Sequence, residues 1–479
     1  MKKSLLFSTR HTLVFSLLLF FTVASCREDD PSPGSQNAKV NDWILENMQF
    51  WYLWNEQLPG NPDKNTDPES FFESLLVSED RFSWIQDDYQ ELLNSLQGIS
   101  KEAGYEFALY RETEGSENVI GQVVYTKPSS PAVQAGLKRG DVFTHVNGQQ
   151  LTTANYQSLL EAIHENHSLT YKPLIIAEER FDAARTISLS TVEYAEDPSY
   201  YHSVIEMDGK KIGYYVYNFF ASGTDSDTTV YDTEMRTIFA DFKAQGITDF
   251  VLDLRFNSGG SEKAAATLAS LIGKDINDTK VFARRAYNRS VENEILNDPR
   301  LGEEFLSTRF NNESGNIGSL LSRGRVYVLT SSRTASASEL VINALKPFME
   351  VYLIGDVTYG KNVGSISLFD KTDASNKWGL QPIVVKVYNS LDQSDYASGF
   401  TPDVLHDDNG LYLYPLGDTH EALLALAIGH ITGTSSSGRV AARNQRMKSL
   451  VGHSLDEKRR SFNLVIDQNI PFRKRQPLQ

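Results

Sequence analysis

The sequence predicts a multidomain protein: a small helical N-terminal domain, a β-rich middle domain and an α/β C-terminal domain. Three observations carry that expectation. At 479 residues the chain outruns a single hydrophobic core, which stops growing at about 250–300 residues. Its texture changes twice, from aromatic-rich helical periodicity over 41–100, to short β-rich runs over 101–195, to strands alternating with helices over 200–432. The composition is globular, with 40% hydrophobic and 23% charged residues.

Residues 1–25 read as a lipoprotein signal peptide. Lys2, Lys3 and Arg10 precede an apolar run from Leu13 to Ala24 that is too short to span a membrane. Val23-Ala24-Ser25-Cys26 resembles the lipobox of bacterial lipoproteins, in which cleavage leaves a lipidated cysteine at the new N-terminus. Cys26 is the only cysteine, which excludes a disulfide framework. The expectation is an exported bacterial lipoprotein at the outer membrane, on its periplasmic face or at the cell surface, held through lipid on Cys26. Arg27-Glu28-Asp29-Asp30 resembles surface-sorting signals of some Gram-negative lipoproteins.

Residues 26–40, including PSPGSQNAKV, read as a tether. Asn41 and Asp42 offer a cap to the helix WILENMQFWYLW, and Asp67-Pro68 opens a second helix holding Phe71, Phe72, Leu75 and Leu76. The aromatic stripe from Trp43 to Trp54 is expected to be packing, not a ligand cage. The net charge of −16 argues against nucleic acid as a partner, because the surface would repel phosphate. Residues 433–479 reverse the sign and read as a solvated basic tail, with docking on the acidic body or on anionic lipid as the weaker alternative.

In the middle domain, VIGQVVYT and ISLSTVEY read as strands around one helix, NYQSLLEAI. Ser130-Pro131-Ala132 through Gly140-Asp141 is followed by a strand and by Asn147-Gly148, a favoured hairpin turn. This pattern, SPAxxAGLxxGDxxxxVNG, resembles PDZ domains. The resemblance implies capture of an extended peptide by strand addition, with its terminal carboxylate held at Gly104, Tyr105, Glu106 and Phe107.

Several catalytic signatures are absent. His164-Glu165-Asn166-His167 spaces its histidines three apart, where a zinc helix needs four, and Gly452-His453-Ser454-Leu455-Asp456 lacks the last glycine of a nucleophile elbow. Gly355 to Asn362 nearly fits a phosphate-binding loop. It lacks the magnesium-binding hydroxyl, and VGSISL after it alternates like a strand where a helix is required.

Ser336 lies between the strand RVYVLTSS and the helix ASASELVINAL. Ser336-x-x-Glu339 reads as a capping box, and the same strand-to-helix turn would expose a nucleophilic hydroxyl beside outward-pointing amides. Periodicity leaves both readings open.

Three motifs in order, Asp253-Leu254-Arg255-Phe256-Asn257-Ser258-Gly259-Gly260, Ser336-Ala337-Ser338-Glu339 and Tyr359-Gly360-Lys361, resemble the catalytic domain of the C-terminal processing peptidases, or tail-specific proteases, of ClpP/crotonase-like type. The resemblance implies a serine endopeptidase acting on protein or peptide substrates without cofactor or metal. It assigns Ser336 as nucleophile, Lys361 as general base, and the amides of Gly260 and Ala337 as oxyanion hole. A lysine ordinarily titrates at about 10.4 and serves as a base near neutrality only if burial lowers that value by roughly three units. Two positions depart from the family pattern. Ser365 stands where many relatives have glutamine, making it the candidate third member, and Leu345-Lys346-Pro347-Phe348 lacks an acidic residue found in some. The missing glutamine, together with the carboxylate of Glu106 in the PDZ loop, which would repel a ligand's own, supports the alternative of a non-catalytic peptide-binding lipoprotein.

Overall fold

The computed structural model describes residues 33–224, 226–434, 446–447, 449–456 and 465–466. Cys26 and the signal segment lie outside the described residues.

Helix α1 spans Pro33–Trp51, so it begins inside the segment read as a tether. After Gly34 nothing breaks the helix until Trp51. The cap expected at Asn41 and Asp42 is therefore not an end at all. Asn41 is buried within the helix, and its Nδ2 donates to the carbonyls of Lys64 at 2.9 Å and Thr66 at 2.8 Å. Helix α2, Pro68–Ser74, is capped by the Asp67 carboxylate, which accepts from the amides of Glu69 and Ser70. Ile44, Met48 and Tyr52 pack against Phe71, Phe72 and Leu75, which makes the aromatic stripe core. Leu380, from the C-terminal domain, joins this cluster. Trp84–Gln86 also pairs with Gly379–Gln381, so the helical domain is sewn onto the α/β domain.

The middle domain is built on strands β1 (Tyr105–Arg111), β2 (Val119–Thr126), β3 (Val142–Val146), β4 (His167–Lys172) and β5 (Arg185–Leu189), in sheet order β5-β4-β3-β2-β1. Helix α3 (Tyr156–Glu161) packs Leu159 against Phe107, Leu109 and Phe143. Asn147 and Gly148 turn the chain after β3 at φ 50° and 75°, the left-handed pair that the sequence signalled.

The α/β domain places β6 (Tyr201–Met207), β7 (Lys210–Val216), helix α4 (Val230–Gln245), β8 (Asp249–Asp253), helix α5 (Glu262–Ile272), β9 (Val281–Tyr287), β10 (Arg325–Thr330), helix α6 (Ala337–Leu345), β11 (Glu350–Gly355), β12 (Val363–Ser365), β13 (Ile383–Tyr388), β14 (Val404–Leu405) and helix α7 (Ala422–Thr432) in chain order. The main sheet runs β6-β7-β8-β10-β11-β14, antiparallel only between β6 and β7. Helices α4, α5 and α6 bury one face through Phe239, Leu268 and Leu340. Helix α7 buries the other through Leu424 and Ile428. Strands β9, β13 and β12 form a second, antiparallel sheet against α6.

The described part of the C-terminal segment is docked on the body of the protein, contrary to the reading of 433–479 as a free tail. Strand β15 (Leu450–His453) pairs antiparallel with β1, and Met447 and Leu455 are buried. Apolar side chains and strand pairing hold it, joined by an ion pair from Asp456 to Arg333 at 3.1 Å, while Arg446 lies 3.9 Å from Asp407.

An ionic network fixes the middle domain to the α/β domain. Fully buried Arg255, at the end of β8, donates to Glu421 at 2.6 and 2.9 Å, to Asp408 at 3.0 Å and to Asp253 at 3.0 Å. Arg139 reaches from the middle domain to the same Asp408 at 3.1 Å. Burial pushes the Asp408 carboxyl up, but the Arg139 and Arg255 guanidiniums outweigh it and hold the carboxyl well below the usual range. Removing one partner from such a cluster strands buried charge. Arg255→Ala is expected to destabilise the protein by about 3–5 kcal/mol, read as a lowered midpoint in urea unfolding.

Candidate active site

Ser336 sits between β10 and α6 with φ 61° and ψ −112°, a backbone region that side chains rarely occupy. It is fully buried, and its Oγ has no hydrogen-bond partner among the described residues. The capping box is therefore half formed. Glu339 accepts from the Ser336 amide at 2.9 Å, but the serine hydroxyl does not cap the helix.

Glu339 does more than complete a cap. Its Oε1 accepts from Thr358 Oγ1 at 2.6 Å and from the Gly360 amide at 2.7 Å. Its Oε2, already bonded to the Ser336 amide, also accepts from the Lys361 amide at 2.7 Å. One carboxylate oxygen thus holds the serine turn and the lysine loop together. Burial pushes the Glu339 carboxyl up, and these four hydrogen bonds oppose the rise.

Lys361 is 2% exposed. Its burial lowers the ammonium pKa to about 7, opposed by the charges of Asp80 and Glu339. The dry surroundings come partly from the N-terminal domain, whose Phe82 ring centroid lies 4.9 Å from Lys361 Nζ. Arg81 anchors that wall by donating to the carbonyls of Gly360 at 3.2 Å and Ala397 at 3.3 Å. A cleft of about 780 Å³ runs between the two domains, lined by Phe72, Asp80, Phe82, Ser258, Ala335 and Lys361. Asp80, Arg81 and Phe82 carry no local sequence signal that would have assigned them to this site.

Gly260 has φ +133°, and a Cβ there would stand 2.1 Å from the Phe220 carbonyl oxygen, so no side chain fits. Asn257 fastens its loop to the serine turn: its carbonyl accepts from the Ala335 amide at 3.2 Å and from Ser338 Oγ at 3.1 Å. The amides of Gly260 and Ala337 have no partner among the described residues. Ser365 lies on β12 and is fully buried, so it is no surface serine. Val363–Ser365 is a strand, and the segment after Gly355 opens no helix of the kind a phosphate loop requires.

The four residues expected to receive a peptide carboxylate sit at the start of β1. The Gly104 carbonyl accepts from the Lys127 amide and from Ser130 Oγ. Tyr105 Oη meets His167 Nε2 at 2.9 Å. Glu106 is buried 3.3 Å from the Lys127 ammonium, which also pairs with Glu102 and, at 2.7 Å, with Glu196. The Phe107 amide donates to Ser454 Oγ at 2.9 Å.

Residues 211–406 match the profile of peptidase family S41, residues 39–84 the peptidase S41 N-terminal domain, and residues 122–172 a PDZ domain. The chain belongs to peptidase family S41. This S41 chain is a serine-type peptidase with a PDZ domain. It is 24% identical over 361 residues to a carboxyl-terminal-processing protease of Picosynechococcus, covering 74% of this chain and 77% of that one. It is 25% identical over 407 residues to a carboxy-terminal-processing protease of Bartonella bacilliformis, covering 85% and 83%. A crystal structure from Bacteroides fragilis, provisionally assigned to the S41 proteases, aligns with TM-score 0.65 and 28% identity, covering 82% of this chain and 97% of that one.

The backbone strain at Ser336 is directly measurable. Ser336→Gly is expected to raise the unfolding free energy by about 1 kcal/mol relative to Ser336→Ala, which keeps the Cβ and so keeps the strain. Parallel urea titrations of the two variants read the difference.

Proposed function

We propose that this S41 peptidase is an exported, lipid-anchored endopeptidase that captures a C-terminal or unfolded segment of its substrate at the PDZ domain and cuts it with a Ser336–Lys361 dyad. The observation that carries the dyad is the shared Glu339 oxygen: through the Ser336 amide it ties the serine turn, whose hydroxyl has no partner among the described residues, to the loop bearing a buried amine. The lipobox at residues 23–26 supports anchoring through Cys26. The carboxyl-terminal-processing relatives support tail recognition.

The chemistry follows from these groups. Neutral Lys361 accepts the proton of Ser336 as Oγ attacks the scissile carbonyl. The amides of Gly260 and Ala337 receive the developing oxyanion, which two fixed donors stabilise by several kcal/mol. Collapse of the tetrahedral intermediate releases the amine, which takes the proton back from Lys361, and leaves an acyl group on Ser336. A water molecule then gives a proton to Lys361 as it attacks the ester, and Lys361 passes that proton to the departing Ser336 Oγ, releasing the acid and restoring the hydroxyl and the neutral amine. Ser365, buried on β12, is the candidate third member, positioning the lysine amine.

Purified protein incubated with an unfolded substrate, beside Ser336→Ala and Lys361→Ala, tests the dyad. Both variants are expected to lose at least about a thousandfold in kcat/KM, and cleavage equal to the parent by either ends the assignment. Absent turnover with retained peptide binding would identify a binding lipoprotein instead. The reactive form of Lys361 is the neutral one, so kcat/KM is expected to climb with pH along a limb centred near 7, where burial has placed its pKa. A flat profile between pH 6 and 8, measured with a substrate that does not itself titrate there, would exclude Lys361 as the base.

A further inference from the structure

The C-terminal segment lies on both surfaces that the proposed mechanism offers to a substrate. Strand β15 adds to β1, with Leu450 opposite Tyr110, Gly452 opposite Leu109 and His453 opposite Ala108. Among the described residues β1 would otherwise be the open edge of the PDZ sheet. Val451 packs into the apolar cluster that holds Phe107, Leu109 and Leu159, between the sheet edge and α3. Ser454 completes the pairing: its amide donates to the Phe107 carbonyl at 2.9 Å, its Oγ accepts from the Phe107 amide at 2.9 Å, and the hydroxyl donates to Glu106 at 2.6 Å.

From there the chain turns toward the catalytic cleft. Asp456 accepts from Arg333 Nε at 3.1 Å, three residues ahead of Ser336, and lines the same cleft as Lys361. Val465 forms parallel bridges to both Ser261 and Ser365. Its amide donates to the Gly260 carbonyl at 2.9 Å, and its carbonyl accepts from the Glu262 amide at 3.0 Å. Ile466 donates to the Ser365 carbonyl at 3.0 Å and buries its side chain in the catalytic core. Val465 and Ile466 thus join the glycine loop to β12 by backbone hydrogen bonds.

We propose that residues 449–456 and 465–466 are a resident ligand in cis. The chain's own C-terminal segment occupies the strand-addition edge of the PDZ domain and the peptide position beside Gly260, and a substrate engages only by displacing it. The cleft half of this inference rests on the proteolytic reading given above; the PDZ half does not. Main-chain strand addition tolerates varied sequences, so the edge that takes β15 takes an unfolded segment of another protein equally well. A short tether presents its ligand at an effective concentration in the millimolar range, which sets the competition a free peptide must overcome.

The PDZ half is tested by binding alone. A fluorescent peptide with the sequence of Leu450–Leu455 is titrated into full-length Ser336→Ala protein and into the same protein carrying Val451→Asp, which loosens β15. The double variant is expected to bind the peptide at least about tenfold more tightly. In the otherwise native chain, Val451→Asp is expected to raise kcat/KM on an unfolded substrate several-fold, mainly through a lower KM. If Val451→Asp loses its cooperative melt, a chain ending at residue 448 serves in its place. Unchanged peptide affinity and unchanged KM in a folded variant, or a lowered melting temperature with no gain in binding, would make the segment a structural part of the fold and overturn the proposal. Tighter peptide binding without proteolysis by any form would sink the proteolytic reading and leave the PDZ half standing.

Discussion

The candidate site depends on one buried carboxylate. Glu339 has no exposed surface, and burying a charge of this kind is costly unless its lone pairs are met. Here four donors meet them, from the Ser336 turn and from Thr358, Gly360 and Lys361. The two loops belong to successive strand–helix and strand–strand connections at the carboxyl ends of β10 and β11. A second tie joins them, the Tyr359 amide donating to the Thr334 carbonyl at 2.9 Å. A cap that merely began α6 would need only the first of these bonds, so the other three make Glu339 a positioning residue for the lysine.

The same constraint explains why a helical domain precedes the PDZ domain. Lowering the Lys361 pKa from 10.5 to about 7 disfavours its ammonium form by about 5 kcal/mol. Burial is the largest influence, and the nearby carboxylates Asp80 and Glu339 oppose it. The α/β domain closes one side of the lysine, and Phe82 of the N-terminal domain closes another. Trp84–Gln86 pairing with Gly379–Gln381, and Arg81 bonding the Gly360 carbonyl, hold that wall in register with the loop it dries. On the far side, the Arg255 network ties the PDZ domain to the end of β8, from which the glycine loop departs. Both accessory domains thus bear on the backbone that carries Gly260 and Lys361.

Much of this was legible from local pattern. RVYVLTSS and ASASELVINAL match β10 and α6, and VGSISL, read as a strand, opens with β12 at Val363–Ser365. Gly260 and the Ser336–Lys361 order were visible as motifs. What the sequence concealed came from contacts between distant residues. Arg81 and Phe82 are far along the chain from the loop they cover, and nothing in their own neighbourhood marks them. The helical part of 33–40 is hidden because Pro-Gly followed by polar residues looks like linker. The basic C-terminal segment looks solvated by its charge, whereas Val451, Leu455 and Ile466 are what hold it.

The most direct test of the proposed Ser336–Lys361 dyad is covalent labelling with a small serine-reactive phosphonofluoridate, the adduct mapped by mass spectrometry as a function of pH. The account predicts a single adduct on Ser336, formed at a rate that rises with pH and levels off above about 7, and lost when Lys361 is replaced by methionine. Modification at a different serine, or an undiminished rate at Ser336 without the lysine, would contradict it.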